Sequence, residues 1–252
     1  MLGQRPEGPD ELCVACHLLN QSGLIRSAGG NASVRNSDRI YITPTGGVLG
    51  LMRPEDLVEV RLDGTVVGPG RPSKELGMHL AMYRAHPEVG GVVHPHPPAT
   101  IAFSARFPTP RLDAVPPVTA GFYIRAGQVP MLPYYHSGSQ DLHQAVARLA
   151  GDFFVVLLGN HGLIAAGATL LDAINSVEEI EQNCQILLLA GPGAQVLTPE
   201  QRATIDRKLN RCWPDPAVYN AWLASLQPAA GGSWRGAHRS ILSWHAAGSP
   251  PS

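Results

Sequence analysis

The chain has little net charge to offer a partner. Its 19 Lys and Arg nearly cancel its 20 Asp and Glu, leaving a formal charge of −1. No block of Lys or Arg stands out, which excludes the electrostatic footprint of a nucleic-acid binder. Long apolar runs are missing as well. The longest, such as Phe153–Leu158, fall far short of the roughly 20 residues a membrane helix needs. The opening segment Met1–Glu11 is polar and lacks the apolar centre of a secretion signal. These absences point to a soluble, cytoplasmic protein with neither nucleic acid nor membrane as partner. Cysteine is scarce too, with only Cys13, Cys16, Cys184 and Cys212. Cys13 and Cys16 form a C-x-x-C pair, but no second pair completes a zinc knuckle. Because they sit in a helical pattern, they read as small apolar residues on a buried helix face.

What the chain does have is material for a core: 44% of its residues are hydrophobic. Gly and Pro are common but scattered. Helical and strand patterns interleave, which defines the α/β class. Asp10–Gly23 reads as a helix ended by glycine, and Glu75–His86 as a helix closed by Pro87. Pro98–Ala105, Thr169–Ala190, Pro199–Leu209 and Pro214–Leu226 read as further helices. Arg39–Thr43, Gly91–His94, Val129–Tyr134, Phe153–Leu158 and Leu163–Ala166 read as strands. Leu57–Arg61 and Thr65–Val67 form a hairpin around Asp63-Gly64. The pattern supports one domain over residues 1–227, followed by a Gly/Pro-bearing tail over 228–252 that carries Trp234 and Trp244.

Four local features carry chemistry. In Val92-Val93-His94-Pro95-His96-Pro97 two histidines alternate at the end of a strand. Residues i and i+2 of a strand face one side, so both imidazoles can reach one cation. The two prolines make this an edge strand or a strand terminus. A second apolar strand ends in Gly159-Asn160-His161-Gly162, which presents His161 at its mouth. Three imidazoles would leave one position open for substrate or water, as in catalytic metal sites. In Arg71-Pro72-Ser73-Lys74-Glu75, Ser73 caps a helix start and Glu75 occupies the first turn, where a carboxylate can act as general base. Ala28–Ser33 and Ile42–Gly46 are Gly/Ser/Thr-rich loops whose backbone N–H groups can cradle an oxyanion. Taken singly, each feature also fits ordinary histidines, helix-start chemistry or a plain turn.

Their order is more telling. Gly30-Asn31-Ala32-Ser33, then I-T-P-T-G, P-S-K-E, V-V-H-P-H and N-H-G, resembles the class II aldolase/adducin family over about Gly23–Leu189. That resemblance implies a three-layer α/β/α sandwich around a mostly antiparallel sheet. It implies a homotetramer with active sites between subunits. It also implies Zn2+, or a similar cation such as Mn2+ or Co2+, held by His94, His96 and His161. Glu75 then matches the acid/base carboxylate, and Gly30, Asn31, Thr45, Gly46 and Ser73 match the phosphate-binding positions. The implied activity is a carbon–carbon lyase that passes a small phosphorylated oxo-sugar or sugar acid through an enediolate, with the cation as Lewis acid.

Two departures from the aldolase pattern shape the expected reaction. Lys74 stands where many aldolases carry a second serine, adding a positive charge that can steer an anionic substrate. The aldolase proton-donor tyrosine has no clear match; Thr119 falls at that position, with Tyr123 nearby. The P-S-K-E form, Gly121–Arg125 and Leu132–Tyr135 are similar to the family's 3-oxo-tetronate 4-phosphate decarboxylases. Decarboxylation is therefore favoured over retro-aldol cleavage, epimerisation or dehydration. Adducin-like members without activity generally lack the three histidines present here.

Overall fold

Eight strands form one sheet in the computed structural model, which describes residues 8–226. The strands are β1 (Gly30–Asn36), β2 (Arg39–Ile42), β3 (Val58–Arg61), β4 (Val66–Val67), β5 (Gly91–Pro95), β6 (Met131–Leu132), β7 (Val155–Leu158) and β8 (Gly162–Gly167). Their order across the sheet is β4-β3-β2-β1-β5-β8-β7-β6. Every pairing is antiparallel except β6 with β7, so the sheet is mixed but mostly antiparallel. The β3–β4 hairpin turns at Gly64, whose φ of 99° is a conformation glycine adopts without penalty. Asp63 Oδ1 fastens that turn by accepting from the Thr65 amide at 2.8 Å.

β5 lies inside the sheet, between β1 and β8, rather than at an edge. Its prolines act instead as a terminus: Pro95 is its last residue and pairs opposite Gly30. This register places His94 opposite Asn31. It also makes Gly30–Asn36 a strand, where composition suggested a loop.

Alternate residues of the inner strands feed two separate cores. Val93, Leu157, Leu163 and Ala165 pack with Leu12, Phe103, Phe122 and Val177. Those partners come from α1 (Pro9–Gln21), α3 (Pro98–Arg106), α4 (Ala120–Arg125) and α6 (Leu170–Ala190). Val92, Val156, Leu158 and Ile164 pack with Met78, Met82, Val146 and Leu223. These belong to α2 (Leu76–Ala85), α5 (Gln140–Leu149) and α8 (Ala217–Ser225). Burial on both faces explains why β7 and β8 read as unbroken apolar runs. A further helix, α7 (Pro199–Lys208), opens with a Thr198/Gln201 capping box.

Cys13 and Cys16 lie on the buried face of α1, as free thiols. Burial, reinforced by Asp10, pushes the Cys13 thiol up to about 11, so it stays protonated and unreactive. α4 and α5 were not expected, and β6 is two residues long where six were read as strand. α4 has only six residues, too few to show a period. No helix among the described residues is long and apolar enough to cross a membrane. The tail over 228–252, with Trp234 and Trp244, lies outside the described residues.

Candidate metal centre and acid/base site

Three histidines meet where β5 ends and the β7–β8 turn begins. His94 and His96 come from the end of β5, their ring centroids 4.8 Å apart. His161 comes from the turn, which Asn160 closes in a left-handed conformation with φ 54°. Its ring centroid lies 4.8 Å from that of His94 and 4.9 Å from that of His96. One nitrogen from each ring falls within 4.8 Å of the others. Glycines make the convergence possible. A Cβ at Gly162 would run into the Pro95 carbonyl and the His96 ring. A Cβ at Gly30, whose φ is 119°, would sit 2.6 Å from the His94 carbonyl oxygen. Gly30→Ala is accordingly expected to lower stability by about 1–3 kcal/mol through backbone strain alone. Denaturant unfolding of the metal-free protein checks this, and an unchanged midpoint would contradict it.

Burial favours the neutral form of the His96 and His161 rings. His94 is fully buried, and its Nδ1–H donates to the Leu163 carbonyl at 2.7 Å, which leaves Nε2 to face the site. That Nε2 is 3.0 Å from His96 Nε2. Burial, then the neighbouring His94 charge, lowers His96 to about 3 and His161 to about 4. Glu75 is 3% exposed. Its Oε2 lies 3.1 Å from His94 Nε2 and its Oε1 3.4 Å from His161 Nε2. Burial on its own would raise Glu75. Hydrogen bonding and charge from His94, with hydrogen bonds from Ser137 and Asn31, outweigh it and hold the carboxyl well below the usual range. Imidazole nitrogens and carboxylate oxygens thus converge on one point, a donor set that suits a divalent cation. His94, His96 and His161 are the residues that could hold it.

Glu75 precedes α2 rather than lying in its first turn, because the helix begins at Leu76. Its own amide donates to Ser73 Oγ at 3.2 Å. Two side chains grip the carboxylate: Ser137 donates to Oε1 at 2.5 Å and Asn31 donates to Oε2 at 2.9 Å. Ser137 was not foreseen, since nothing in its local sequence marks it. Lys74 is exposed and lies with its stem against Gly138, and its charge helps depress His96 and His161.

The expected anion loops are held together by backbone. Pro44 and Pro72 form a bridge, Thr45 N–H donates to the Arg71 carbonyl at 3.0 Å, and Ser73 N–H donates to the Thr43 carbonyl at 3.1 Å. Thr45 and Gly46 are exposed, and a Cβ at Gly46 would meet no atom within 4 Å. Asn31 differs from expectation. It is buried, and its side chain bonds Glu75 and His79. Tyr123 stands apart from the histidines' contacts. Its buried hydroxyl donates to Asp206 at 2.8 Å, under the Arg202 guanidinium.

The family model for the class II aldolase and adducin N-terminal domain matches residues 10–188. The chain belongs to the class II aldolase/adducin family. Among class II aldolase relatives, it is 36% identical over 172 residues to the 3-oxo-tetronate 4-phosphate decarboxylase of Escherichia coli (strain K12), covering 68% of this chain and 81% of the relative. It is also 33% identical over 174 residues to the L-fuculose phosphate aldolase of Methanocaldococcus jannaschii, covering 69% of this chain and 92% of the relative. The solved structure of YgbL from Escherichia coli superposes with a TM-score of 0.75 at 32% identity, covering 78% of this chain and 96% of that one. An L-fuculose 1-phosphate aldolase structure gives a TM-score of 0.73 at 27% identity, covering 82% of this chain and 100% of that one. Class II aldolases are generally divalent-metal dependent, and the histidine triad has the composition such a role requires.

Proposed function

We propose that this chain is a divalent-metal-dependent lyase that decarboxylates a small phosphorylated 3-oxo sugar acid, a 3-oxo-tetronate 4-phosphate. The observation that carries the reading is the buried Glu75 carboxylate beside three converging imidazoles. Similarity to the decarboxylases of that name supports the substrate. A cation held by His94, His96 and His161, zinc or another divalent ion, would supply Lewis-acid stabilisation of the negative charge that develops beside the carbonyl.

The protein's own residues do the rest. When carbon dioxide leaves a 3-oxo acid, the electron pair of the broken bond stays on the substrate carbon. A proton must then reach that carbon, and Glu75, held as a carboxylate, is placed to take one from water or a substrate hydroxyl and pass it on. Ser137 and Asn31 hold Glu75 in one orientation. Lys74, with Thr45, Gly46 and Ser73, receives the anionic end of the substrate: Lys74 is an exposed cation, and the Thr45 and Ser73 hydroxyls can donate to a phosphate. Gly30 lets β1 approach β5 closely enough to bring Asn31 to Glu75. Tyr123 has no place in this scheme, because Asp206 occupies its hydroxyl.

Release of labelled carbon dioxide from 3-oxo-tetronate 4-phosphate by metal-loaded protein tests the reading. Rapid release is expected. Dihydroxyacetone phosphate from L-fuculose 1-phosphate without carbon dioxide release would overturn it in favour of aldol cleavage, the reading that the fuculose-phosphate aldolase relatives support.

The helices against both sheet faces support a three-layer α/β/α sandwich. We also read residues 1–227 as one catalytic unit with 228–252 as a tail, and the protein as a cytoplasmic homotetramer with active sites between subunits. Light scattering should give four times the chain mass; a monomer at assay concentration would contradict the assembly.

A further inference from the structure

Glu75 heads a buried chain of hydrogen bonds of which the chemistry above uses only the first link, to Asn31. Asn31 Nδ2 donates to Glu75 Oε2 at 2.9 Å, and Asn31 Oδ1 lies 2.6 Å from His79 Nε2. His79 Nδ1 lies 2.7 Å from Ser33 Oγ, which is 3.0 Å from the Tyr83 hydroxyl. All of these groups are buried, His79 and Ser33 completely. The spacing explains the alignment. Asn31 and Ser33 are two apart on β1 and share one face. Glu75, His79 and Tyr83 are four apart, the repeat that lines up one side of a helix.

The chain has only one self-consistent polarity. An amide oxygen carries no proton, so His79 Nε2 must donate to Asn31. A neutral ring then has a bare Nδ1, which accepts from the Ser33 hydroxyl, and the Tyr83 hydroxyl donates to Ser33. Burial lowers His79 to about 3, so the neutral ring is the resident form. A flipped Asn31 amide would set its oxygen against the Glu75 carboxylate and its NH2 against the His79 N–H. Both contacts would be repulsive, so the Glu75 carboxylate and the His79 N–H together fix the amide orientation.

We infer that His79 is a positioning residue for Glu75: its Nε2–H locks the Asn31 amide with the NH2 toward the carboxylate. This rests on the reading of Glu75 as the acid/base group. The lock matters because Oε2 is the oxygen nearest His94. Without it, Asn31 can turn and Glu75 can leave the orientation in which it meets substrate. Partners of this kind behind an active group typically contribute about 10- to 100-fold in activity.

The test compares His79→Phe, which keeps a ring and loses the donor, with His79→Gln, whose amide can donate from a similar place. His79→Phe is expected to lower kcat about 10- to 100-fold, with KM and zinc content unchanged, and His79→Gln to recover part of the loss. Nitrogen-15 NMR of the wild-type ring reads the arrangement without any substrate: Nε2 should be protonated and Nδ1 bare. A ring protonated on Nδ1, or a His79→Phe enzyme with wild-type kcat, would overturn the inference. Should the wild type turn over none of the substrates, the reading of function fails separately. The Asn31 side-chain NH2 signal then decides: it should persist in His79→Gln and shift or broaden in His79→Phe, whereas identical signals in all three proteins would sink the idea. If His79→Phe does not fold, Ser33→Ala removes the group that fixes Nδ1, and the same ring and amide signals decide.

Discussion

His94→Ala is expected to abolish divalent-cation binding. Of the three imidazoles His94 is the most constrained. It is fully buried, its Nδ1–H is committed to Leu163, and its Nε2 is the atom that both His96 and Glu75 approach. Truncation leaves two imidazoles from different strands' ends with nothing between them. Loss of a supporting partner behind a ligand typically costs 10- to 100-fold in affinity, so loss of a ligand itself should cost more than about 100-fold. Metal content by mass spectrometry after dialysis against a weak chelator measures this. Full retention of metal in the variant would remove His94 from the centre.

Glu75→Gln should separate metal binding from chemistry. The amide keeps the shape of the side chain and can still pair with Ser137, whose hydroxyl can donate or accept, but it can neither take nor return a proton. Metal content should stay near wild type. Turnover should fall about 10²–10⁴-fold, the usual contribution of a positioned acid/base group. A variant that loses metal as well would make Glu75 a ligand required for binding. A variant with wild-type turnover would take Glu75 out of the mechanism.

The parts of the site that could be read in the sequence are those fixed by local geometry. The alternation of His94 and His96 follows from the two-residue repeat of a strand, and the glycines around His161 mark a tight turn. The parts that escaped depend on pairing across the sheet. Gly30–Asn36 lacks the β-branched run of a typical strand. It becomes one because β2 and β5 flank it, and that pairing buries Asn31 and Ser33. His79 carries no local mark of a role in the sequence; it is wholly buried between those residues, a position visible only once β1 exists. Ser137 reaches Glu75 from the loop after β6, 62 residues away in the chain. α5 is a different case, because its signal was present. Ser139 caps it, and Leu142, Ala145, Val146 and Leu149 fall on one buried face at helical spacing. The prolines of the H-P-H-P run signalled the end of β5 but could not place it at the centre of the sheet.

A crystal soaked in zinc and measured across the zinc absorption edge would test the centre most directly. One anomalous peak about 2.1 Å from a nitrogen of each of His94, His96 and His161 is expected. A fully occupied peak elsewhere, for instance beside Cys212, with none among these three histidines, would contradict the assignment and with it the role given to Glu75.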